Sequence, residues 1–160
     1  MVAERPGPAS GIRRLVVAGS VAIAVAVVDQ LTKWWAVTRL GKGSIHVVGT
    51  LDLELSRNTG SAFSLFQGHA PVLVTVVVVL VVVLALWVWR SPTLGRAAIL
   101  GLILGGALGN LSDRLFRGDH GAVVDFVALH FWPTFNVADA SITVGCALLL
   151  VSLLRSPRPI

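Results

Sequence analysis

Four aspartates stand inside or beside apolar stretches of this 160-residue chain, at Asp29, Asp113, Asp125 and Asp139. Burying a carboxylate in an apolar environment is costly, so such residues usually face a protein interior or a wet cavity and mark function. Two carboxylates held close together cannot both ionise cheaply, and they therefore share a proton. Such a pair can take a proton from water with one member and donate a proton to the scissile carbonyl with the other.

Local structural roles are an alternative for some of these acids. Two acid–base pairs have the i, i+4 spacing of an ion pair on one helix face: Asp29 with Lys33, and Asp113 with Arg117. Asn136 and Asp139 have the spacing of an N-cap residue and its N3 partner, as in a capping box. The spacing alone leaves both the structural and the chemical role of each acid open.

The composition indicates a membrane protein. Hydrophobic residues make up 55% of the chain and charged residues 13%, with a mean hydropathy of +0.83. A soluble domain carries about 25% charged residues. The net charge is +5, but the 13 Lys and Arg residues are scattered between apolar runs and form no stripe, so we expect no nucleic-acid partner. The single cysteine, Cys146, excludes an internal disulfide and a cysteine-based zinc site.

Four apolar segments are predicted to cross the bilayer as helices: Leu15–Trp35, Val72–Trp89, Ala97–Arg114 and Val137–Leu154. A hydrocarbon core of about 30 Å requires about 20 helical residues. An even number of spans places both termini on one side, and the short basic connection around Arg90 and Arg96 favours the cytoplasm. Residues 1–12 are polar and contain Pro and Gly, so we predict a disordered cytoplasmic tail there.

The connection between the first two predicted spans, residues 36–71, is expected to form an extracytoplasmic sheet and loop. Apolar and polar residues alternate from Ile45 to Leu55 around Gly49, which is typical of a half-buried strand pair. The predicted fold class is therefore an all-α polytopic membrane protein with four transmembrane helices and a small extracytoplasmic β-sheet between helices 1 and 2. Aromatic residues such as Trp132 are expected to anchor the chain at the bilayer interface.

Three of the acids are predicted to lie at one depth. Counted from the inner arginines at a rise of about 1.5 Å per residue, Asp29, Asp113 and Asp139 fall roughly 22–25 Å across the bilayer. This level is just beneath the outer interface. Small residues recur every fourth position in the third span, at Ala97, Gly101, Gly105 and Gly109, and predict a close helix contact.

Five stretches in this order resemble lipoprotein signal peptidase, the type II signal peptidase of bacteria. They are VVDQLTKWWA, NTGSAFSLF, GGALGNLSDR, VVDF and FNVADASITVG, which begin at Val27, Asn58, Gly105, Val123 and Phe135. Each stretch is weak evidence alone, whereas the ordered set is specific and covers nearly the whole chain. One departure is the short linker of 14 positions between Asp125 and Asp139.

The resemblance implies a single integral membrane peptidase domain over residues 1–160, in the bacterial plasma (inner) membrane, with its active site near the extracytoplasmic face. It implies an aspartic endopeptidase that cuts a prolipoprotein before a cysteine carrying a diacylglyceryl group, using Asp125 and Asp139 as catalytic residues. The residues expected to bind substrate are Asn58, Gly60, Asn110, Arg114 and Asn136. The residues expected to support the site are Asp29, Lys33 and Asp113. No cofactor and no metal are expected, and the expected partners are diacylglyceryl-prolipoproteins and membrane lipid, with the protein a monomer.

Two other functions compete with a peptidase. A small transporter or proton relay would use buried carboxylates to move ions, but it predicts acids spread through the bilayer rather than gathered at one level. An assembly subunit would use the small-residue stripe to bind a partner and would leave the aspartate pair unexplained. Replacing Asp125 with Asn distinguishes the relay from the peptidase, because a relay would lose ion flux whereas a peptidase would lose precursor cleavage.

Overall fold

The computed structural model describes residues 8–59, 70–118 and 121–155. Helices contain most of these residues: α1 Pro8–Arg39, α2 Ala70–Trp89, α3 Leu94–Phe116 and α4 Val137–Leu154. Four strands form one antiparallel sheet in the order β1-β2-β3-β4: β1 Ile45–Val48, β2 Leu51–Asn58, β3 Val123–Leu129 and β4 Trp132–Phe135. A short 3-10 turn, Leu40–Lys42, joins α1 to the sheet.

Helix α1 is longer than the predicted first span at both ends. It begins at Pro8, inside the segment 1–12 that we expected to be disordered, because proline is well tolerated in the first turn of a helix. It continues to Arg39, so the first residues of the predicted outer segment 36–71 are helical. The predicted tail is therefore wrong for residues 8–12, while residues 1–7 lie outside the described part of the chain.

Within the described part of the chain, three helical segments are long and apolar enough to cross a membrane: Gly11–Lys42, Leu94–Phe116 and Val137–Leu154. The apolar segment Val74–Trp89 of α2 is shorter. The predicted helix positions are confirmed, and the prediction that all four cross the bilayer is confirmed by length for three of them. Many side chains on these helices are apolar and exposed, as lipid contact requires.

The small-residue stripe of α3 packs directly against α1. A Cβ atom on Gly101 would lie 2.6 Å from the Ala18 carbonyl oxygen, and one on Gly105 would lie 2.7 Å from the Ala22 carbonyl oxygen. Only hydrogen in place of a side chain permits this separation, so the predicted close helix contact is confirmed. Gly109 continues the stripe toward the C-terminal end of α3, where its neighbour is the side chain of Asp29.

The sheet is wider than predicted. The alternating segment Ile45–Leu55 does form β1 and most of β2, and Gly49 adopts a φ of 58° in the turn between them. Half of the strands, however, come from the connection between α3 and α4, which we had not assigned to the sheet. The physical reason is that Val123–Phe126 are all buried, so β3 lacks the alternation that identifies a half-buried strand.

The sheet docks onto the C-terminal end of α1. Ala36, Leu40 and Phe126 form a buried apolar cluster, and the rings of Trp35 and Phe126 meet edge to face with centroids 6.5 Å apart. This contact holds β3 against the helices, and it therefore fixes the neighbouring residue Asp125.

The half-buried carboxylate of Asp52 connects three parts of the sheet. Asp52 on β2 lies 2.7 Å from His46 Nδ1 on β1 and 3.0 Å from Nε2 of His130 in the β3–β4 turn. Hydrogen bonds with His130 and then His46 lower the pKa of Asp52 below its ordinary value. The pairing crosses the strands on the solvent side of the sheet.

Candidate active site

Asp125 is held in the middle of β3 with only 2% of its surface exposed. Antiparallel pairing with β2 sets Asp125 opposite Ser56, and Asn58 near the end of β2 donates an amide hydrogen bond to Asp125 Oδ2 at 3.2 Å. The carboxylate faces a cavity of about 340 Å³. The strand pairing thus delivers this carboxylate to the cavity with a fixed orientation.

Asp139 reaches the same cavity from the first turn of α4. Asn136 is the N-cap residue of α4, and its side-chain oxygen accepts the Asp139 backbone N–H at 2.9 Å. In return, the Asn136 backbone N–H donates to Asp139 Oδ2 at 3.2 Å, so the capping box predicted from the spacing is confirmed. Because Asp139 also lines the cavity, the structural and chemical roles are not exclusive.

Asn136 links the two carboxylates. Its side-chain amide donates to Asp125 Oδ1 at 2.6 Å, while its backbone N–H donates to Asp139. Asn136 itself is fully buried. Both acids therefore contact different donors of one residue, which fixes their relative position without placing a cation between them.

Asn110 on α3 is the second amide of the site. Its Nδ2 donates to Asp139 Oδ1 at 2.8 Å, and its Oδ1 accepts hydrogen bonds from Lys33 Nζ at 2.8 Å and Asn136 Nδ2 at 3.1 Å. Lysine is a donor only, so its contact requires the amide oxygen on that side. Lys33 thereby orients Asn110 with its N–H toward Asp139.

A buried ion cluster lies directly behind the two amides. It consists of Asp29, Lys33, Asp113 and Arg117. Lys33 Nζ is 2.8 Å from Asp29 Oδ2 and 3.1 Å from Asp113 Oδ2, and all three side chains are fully buried. Arg117 Nε is 2.9 Å from Asp113 Oδ1. Both predicted i, i+4 pairs are confirmed. The cluster pairs two carboxylates with two cations, so no buried charge is left without an opposite charge.

The ion cluster also holds the elements that carry the carboxylates of the cavity. Asp29 Oδ1 accepts the backbone N–H of Ala138 at 2.9 Å, so a side chain of α1 helps to cap α4. Asp113 Oδ2 accepts the backbone N–H of Val124 at 3.1 Å, next to Asp125 in β3. The cluster is therefore a brace between helices and sheet at the level of the cavity.

Gln30 belongs to this brace, although we had not singled it out. Its Nε2 donates to the Gly109 carbonyl oxygen at 3.0 Å and to Asp113 Oδ1 at 3.0 Å, and its Oε1 accepts from Arg117 Nη2 at 2.9 Å. A lone glutamine on a predicted helix carries no spacing signal. Its position directly after Asp29 is the one available hint.

The electrostatics of the cavity favour a shared proton. The pKa of Asp125 is raised from its ordinary value to about 6, chiefly by burial and then by the charge of Asp139, while hydrogen bonds from Asn58 and Asn136 oppose the rise. Arg114 lines the same cavity and donates Nη1 to the Asn110 carbonyl oxygen at 3.2 Å. The site thus contains two acids of unlike environment and one nearby cation.

The structure brings most of the predicted site residues together. The cavity wall contains five of them: Asn58, Asn110, Arg114, Asp125 and Asp139. Asn136 lies behind the wall and contacts both acids, and the three predicted supporting residues belong to the ion cluster. Gly60 lies outside the described residues.

The rest of the cavity wall was not predicted. It consists of Val123, all four residues of β4, Ile142 and Thr143. Trp132, which we expected to anchor the chain at the bilayer interface, lines the cavity, because the β3–β4 hairpin places β4 beside it. A proline inside a four-residue strand gave no strand signal in the sequence.

The arrangement suits acid–base hydrolysis. Among the described residues, no group of three or more His, Cys, Asp or Glu side chains is placed to hold a metal ion. The paired carboxylates, one with a pKa raised to about 6, can accept and donate protons near neutral pH.

The sequence matches the family described as signal peptidase (SPase) II over residues 21–155. It is 44% identical over 145 residues to the lipoprotein signal peptidase of Mycobacterium leprae, covering 87% of this chain and 72% of the relative. The Mycobacterium tuberculosis H37Rv protein of the same name is 44% identical over 157 residues, covering 94% and 77%. That of Rhodopseudomonas palustris is 40% identical over 154 residues, covering 87% and 90%.

The fold is similar to two solved structures, both described as a bacterial membrane enzyme. One aligns with a TM-score of 0.77 at 26% identity, covering 89% of this chain and 93% of that one. The second aligns with a TM-score of 0.76 at 28% identity, covering 88% and 94%. The similarity extends over helices and sheet together.

Proposed function

The chain belongs to the signal peptidase II family, and we propose that Asp125 and Asp139 are the catalytic pair of this aspartic peptidase. Its activity is the processing of prolipoproteins, as in the lipoprotein signal peptidases it is similar to. In finer detail, the enzyme removes the signal peptide from a diacylglyceryl-modified precursor by cutting before the lipidated cysteine.

A single observation carries the assignment of the pair: one buried residue, Asn136, donates a hydrogen bond to each carboxylate at the wall of one cavity. The side chains of Asp125 and Asp139 come from two different elements, strand β3 and helix α4. The amide between them adds no formal charge, which suits a pair that must exchange protons.

The proposed mechanism follows from the unlike environments of the two acids. Asp125 holds the shared proton, since burial and the neighbouring charge raise its pKa to about 6. Asp139 takes a proton from a water molecule as that water attacks the scissile carbonyl carbon, and Asp125 donates its proton to the carbonyl oxygen. The proton on Asp139 then passes to the leaving nitrogen, the C–N bond breaks, and Asp125 recovers its proton from the diol.

The remaining predicted residues are assigned to substrate binding. Asn58 and Asn110 present amides in the cavity wall, where they can exchange hydrogen bonds with a peptide backbone without adding charge. Arg114 adds a positive charge to the same wall and can bind a carbonyl oxygen of the peptide or of the acyl ester. Gly60 lies outside the described residues and is assigned to substrate binding from the family resemblance alone.

The protein is a multi-pass membrane protein of bacteria. We place four spans in the plasma (inner) membrane with both termini in the cytoplasm. The basic connection between α2 and α3 favours this orientation, because short cytoplasmic loops are enriched in Lys and Arg. The sheet and the cavity then lie at the extracytoplasmic face, where a membrane-bound precursor presents its cleavage site.

The decisive experiment uses purified protein and a diacylglyceryl-modified precursor in detergent. Wild-type enzyme is expected to release the signal peptide, whereas Asp125→Asn and Asp139→Asn are expected to release none while remaining folded. The same precursor without the diacylglyceryl group is the substrate control and is expected to be cut poorly. Full turnover in either folded variant would remove that residue from the pair.

A further inference from the structure

The end strand β4 borders the catalytic cavity along its whole length. All four residues from Trp132 to Phe135 line the cavity that holds both carboxylates. One edge of β4 pairs with β3, through Val127 with Phe135 and Leu129 with Trp132. The other edge is the end of the sheet, since β4 is last in the strand order.

This outer edge has no backbone partner within residues 8–59, 70–118 and 121–155. Hydrogen bonds between backbone groups outside the regular ladders involve the turns and caps of the chain, and none of them involves residues 132–135. The N–H and C=O groups of an end strand are a template for pairing with another chain. Pro133 lacks an N–H, which weakens the edge for pairing with a long strand and leaves room for a short one.

A substrate entering this cavity needs such partners. In a helix, the N–H and C=O of the scissile bond are tied to residues four positions away, so the segment must unwind before water can attack. Unwinding in a site shielded from bulk water exposes backbone groups that must be paired again at once. A strand edge beside the two acids supplies donors and acceptors at the spacing of an extended chain.

The position of β4 relative to the acids supports this use. The strand leads directly into Asn136, which contacts both carboxylates, so a peptide lying along the edge passes the acids at its end. Four residues at about 3.3 Å each extend roughly 13 Å, enough to pair with three or four substrate residues. The opposite end strand, β1, is fully exposed and contributes no residue to the cavity.

We propose that the outer edge of β4 binds the unwound segment of the prolipoprotein beside the scissile bond, as a fifth strand of the sheet. The proposal rests on the peptidase function assigned above. It assigns recognition at this edge to main-chain atoms, which explains how one site can accept precursors of differing sequence.

The test is a backbone scan of the substrate, which leaves the protein unchanged. A synthetic diacylglyceryl precursor is prepared as a series in which one amide at a time, other than the scissile one, is replaced by an ester that lacks the N–H. The expected result is a loss of about tenfold in kcat/KM at every second position on one side of the cut, with little change between, since strand pairing uses alternate residues. Equal losses at consecutive positions, or a flat profile, would overturn the proposal.

The two proposals fail in distinguishable ways. If the diacylglyceryl precursor with all its amides intact is not cut, the peptidase assignment fails. If it is cut but the losses in the ester series do not alternate, only the strand pairing fails. A second measurement uses amide hydrogen exchange on Asp125→Asn with bound precursor. Protection is expected to rise at least tenfold for one or more amides of Trp132, Thr134 and Phe135 and to stay unchanged in His46–Val48, and its absence from β4 would refute the pairing.

Discussion

Two groups of buried acids lie within one hydrogen-bond network and are stabilised in different ways. In the ion cluster, Asp29 and Asp113 contact the ammonium of Lys33 directly. In the cavity, Asp125 and Asp139 receive hydrogen bonds from the amides of neighbouring asparagines, and Arg114 is the cation on the same wall. Ion pairing fixes the charge of an acid and serves as a brace, whereas amide donors leave its protonation free to change.

The sharpest test of this difference compares activity and stability in the cavity variants. Asp125→Asn and Asp139→Asn are each expected to lower turnover by at least about 10³-fold, since each acid transfers a proton in the reaction. The melting temperature is expected to stay the same or rise, because each change removes like-charge repulsion. Precursor cleavage and thermal unfolding in detergent measure the two effects, and a strongly lowered melting temperature would place the pair among the structural acids.

Lys33→Met is the matching change in the ion cluster. It leaves the carboxylates of Asp29 and Asp113 buried without their shared cation, which is expected to cost about 3–5 kcal/mol of unfolding free energy. Lys42→Met, at an exposed position, is the control and is expected to be neutral. If Lys33→Met unfolds at the wild-type temperature, the cluster is not a brace.

Gly109→Ala tests the brace by packing rather than charge. A Cβ at this position would lie 2.6 Å from Asp29 Oδ2, so the carboxylate must shift away from Lys33 and Ala138. The expected loss is about 1–3 kcal/mol, as for other overpacked sites. Gly95→Ala in the same helix is the control; the nearest atom to its Cβ is 4.0 Å away, and stability should stay level or rise slightly. Equal melting temperatures for the two variants would contradict the close contact.

The smallest expected effect is on the pH profile. The raised pKa of Asp125 means that the folded protein holds this proton more strongly than the unfolded chain, so the associated stability is present at low pH and is lost as pH rises through about 6. The same titration predicts that kcat/KM falls above about pH 6.

Asn58→Ala is expected to move this fall in kcat/KM to higher pH, because the variant removes a hydrogen bond that lowers the pKa of Asp125. Glu54→Gln, an exposed change on the same strand, is expected to leave the fall where it is. A profile that moves equally in both variants, or downward in Asn58→Ala, would show that this hydrogen bond does not control the proton.

Features with a local sequence signature were predicted correctly. The i, i+4 ion pairs, the capping box of α4 and the small-residue stripe of α3 depend on residues within one helix, and helical periodicity reveals them directly. The catalytic roles of Asp125 and Asp139 were inferred from the family resemblance and stay a prediction.

Features that depend on contacts distant in sequence were missed. The pairing of β2 with β3 places Ser56 opposite Asp125, 69 positions away in the sequence. Because β3 is buried on both faces, its sequence lacks the alternation of apolar and polar residues that identifies a half-buried strand. Strand β4 was missed because it has only four residues, and one of them, Pro133, is unfavourable in a strand. Gln30 contacts partners far along the chain and belongs to no pattern of its own.

The placement of Asp29 and Lys33 one turn apart has a consequence for biosynthesis. Helix α1 is synthesised before α3. When α1 enters the lipid, Asp113 and Asn110 are therefore not yet present to bind Lys33. Because the carboxylate of Asp29 and the ammonium of Lys33 lie one turn apart in the same helix, the two charges can pair before α3 is present, which is expected to lower the cost of inserting them into lipid. Once α3 has also inserted, Lys33 additionally binds Asp113 and Asn110, and the ion cluster is complete.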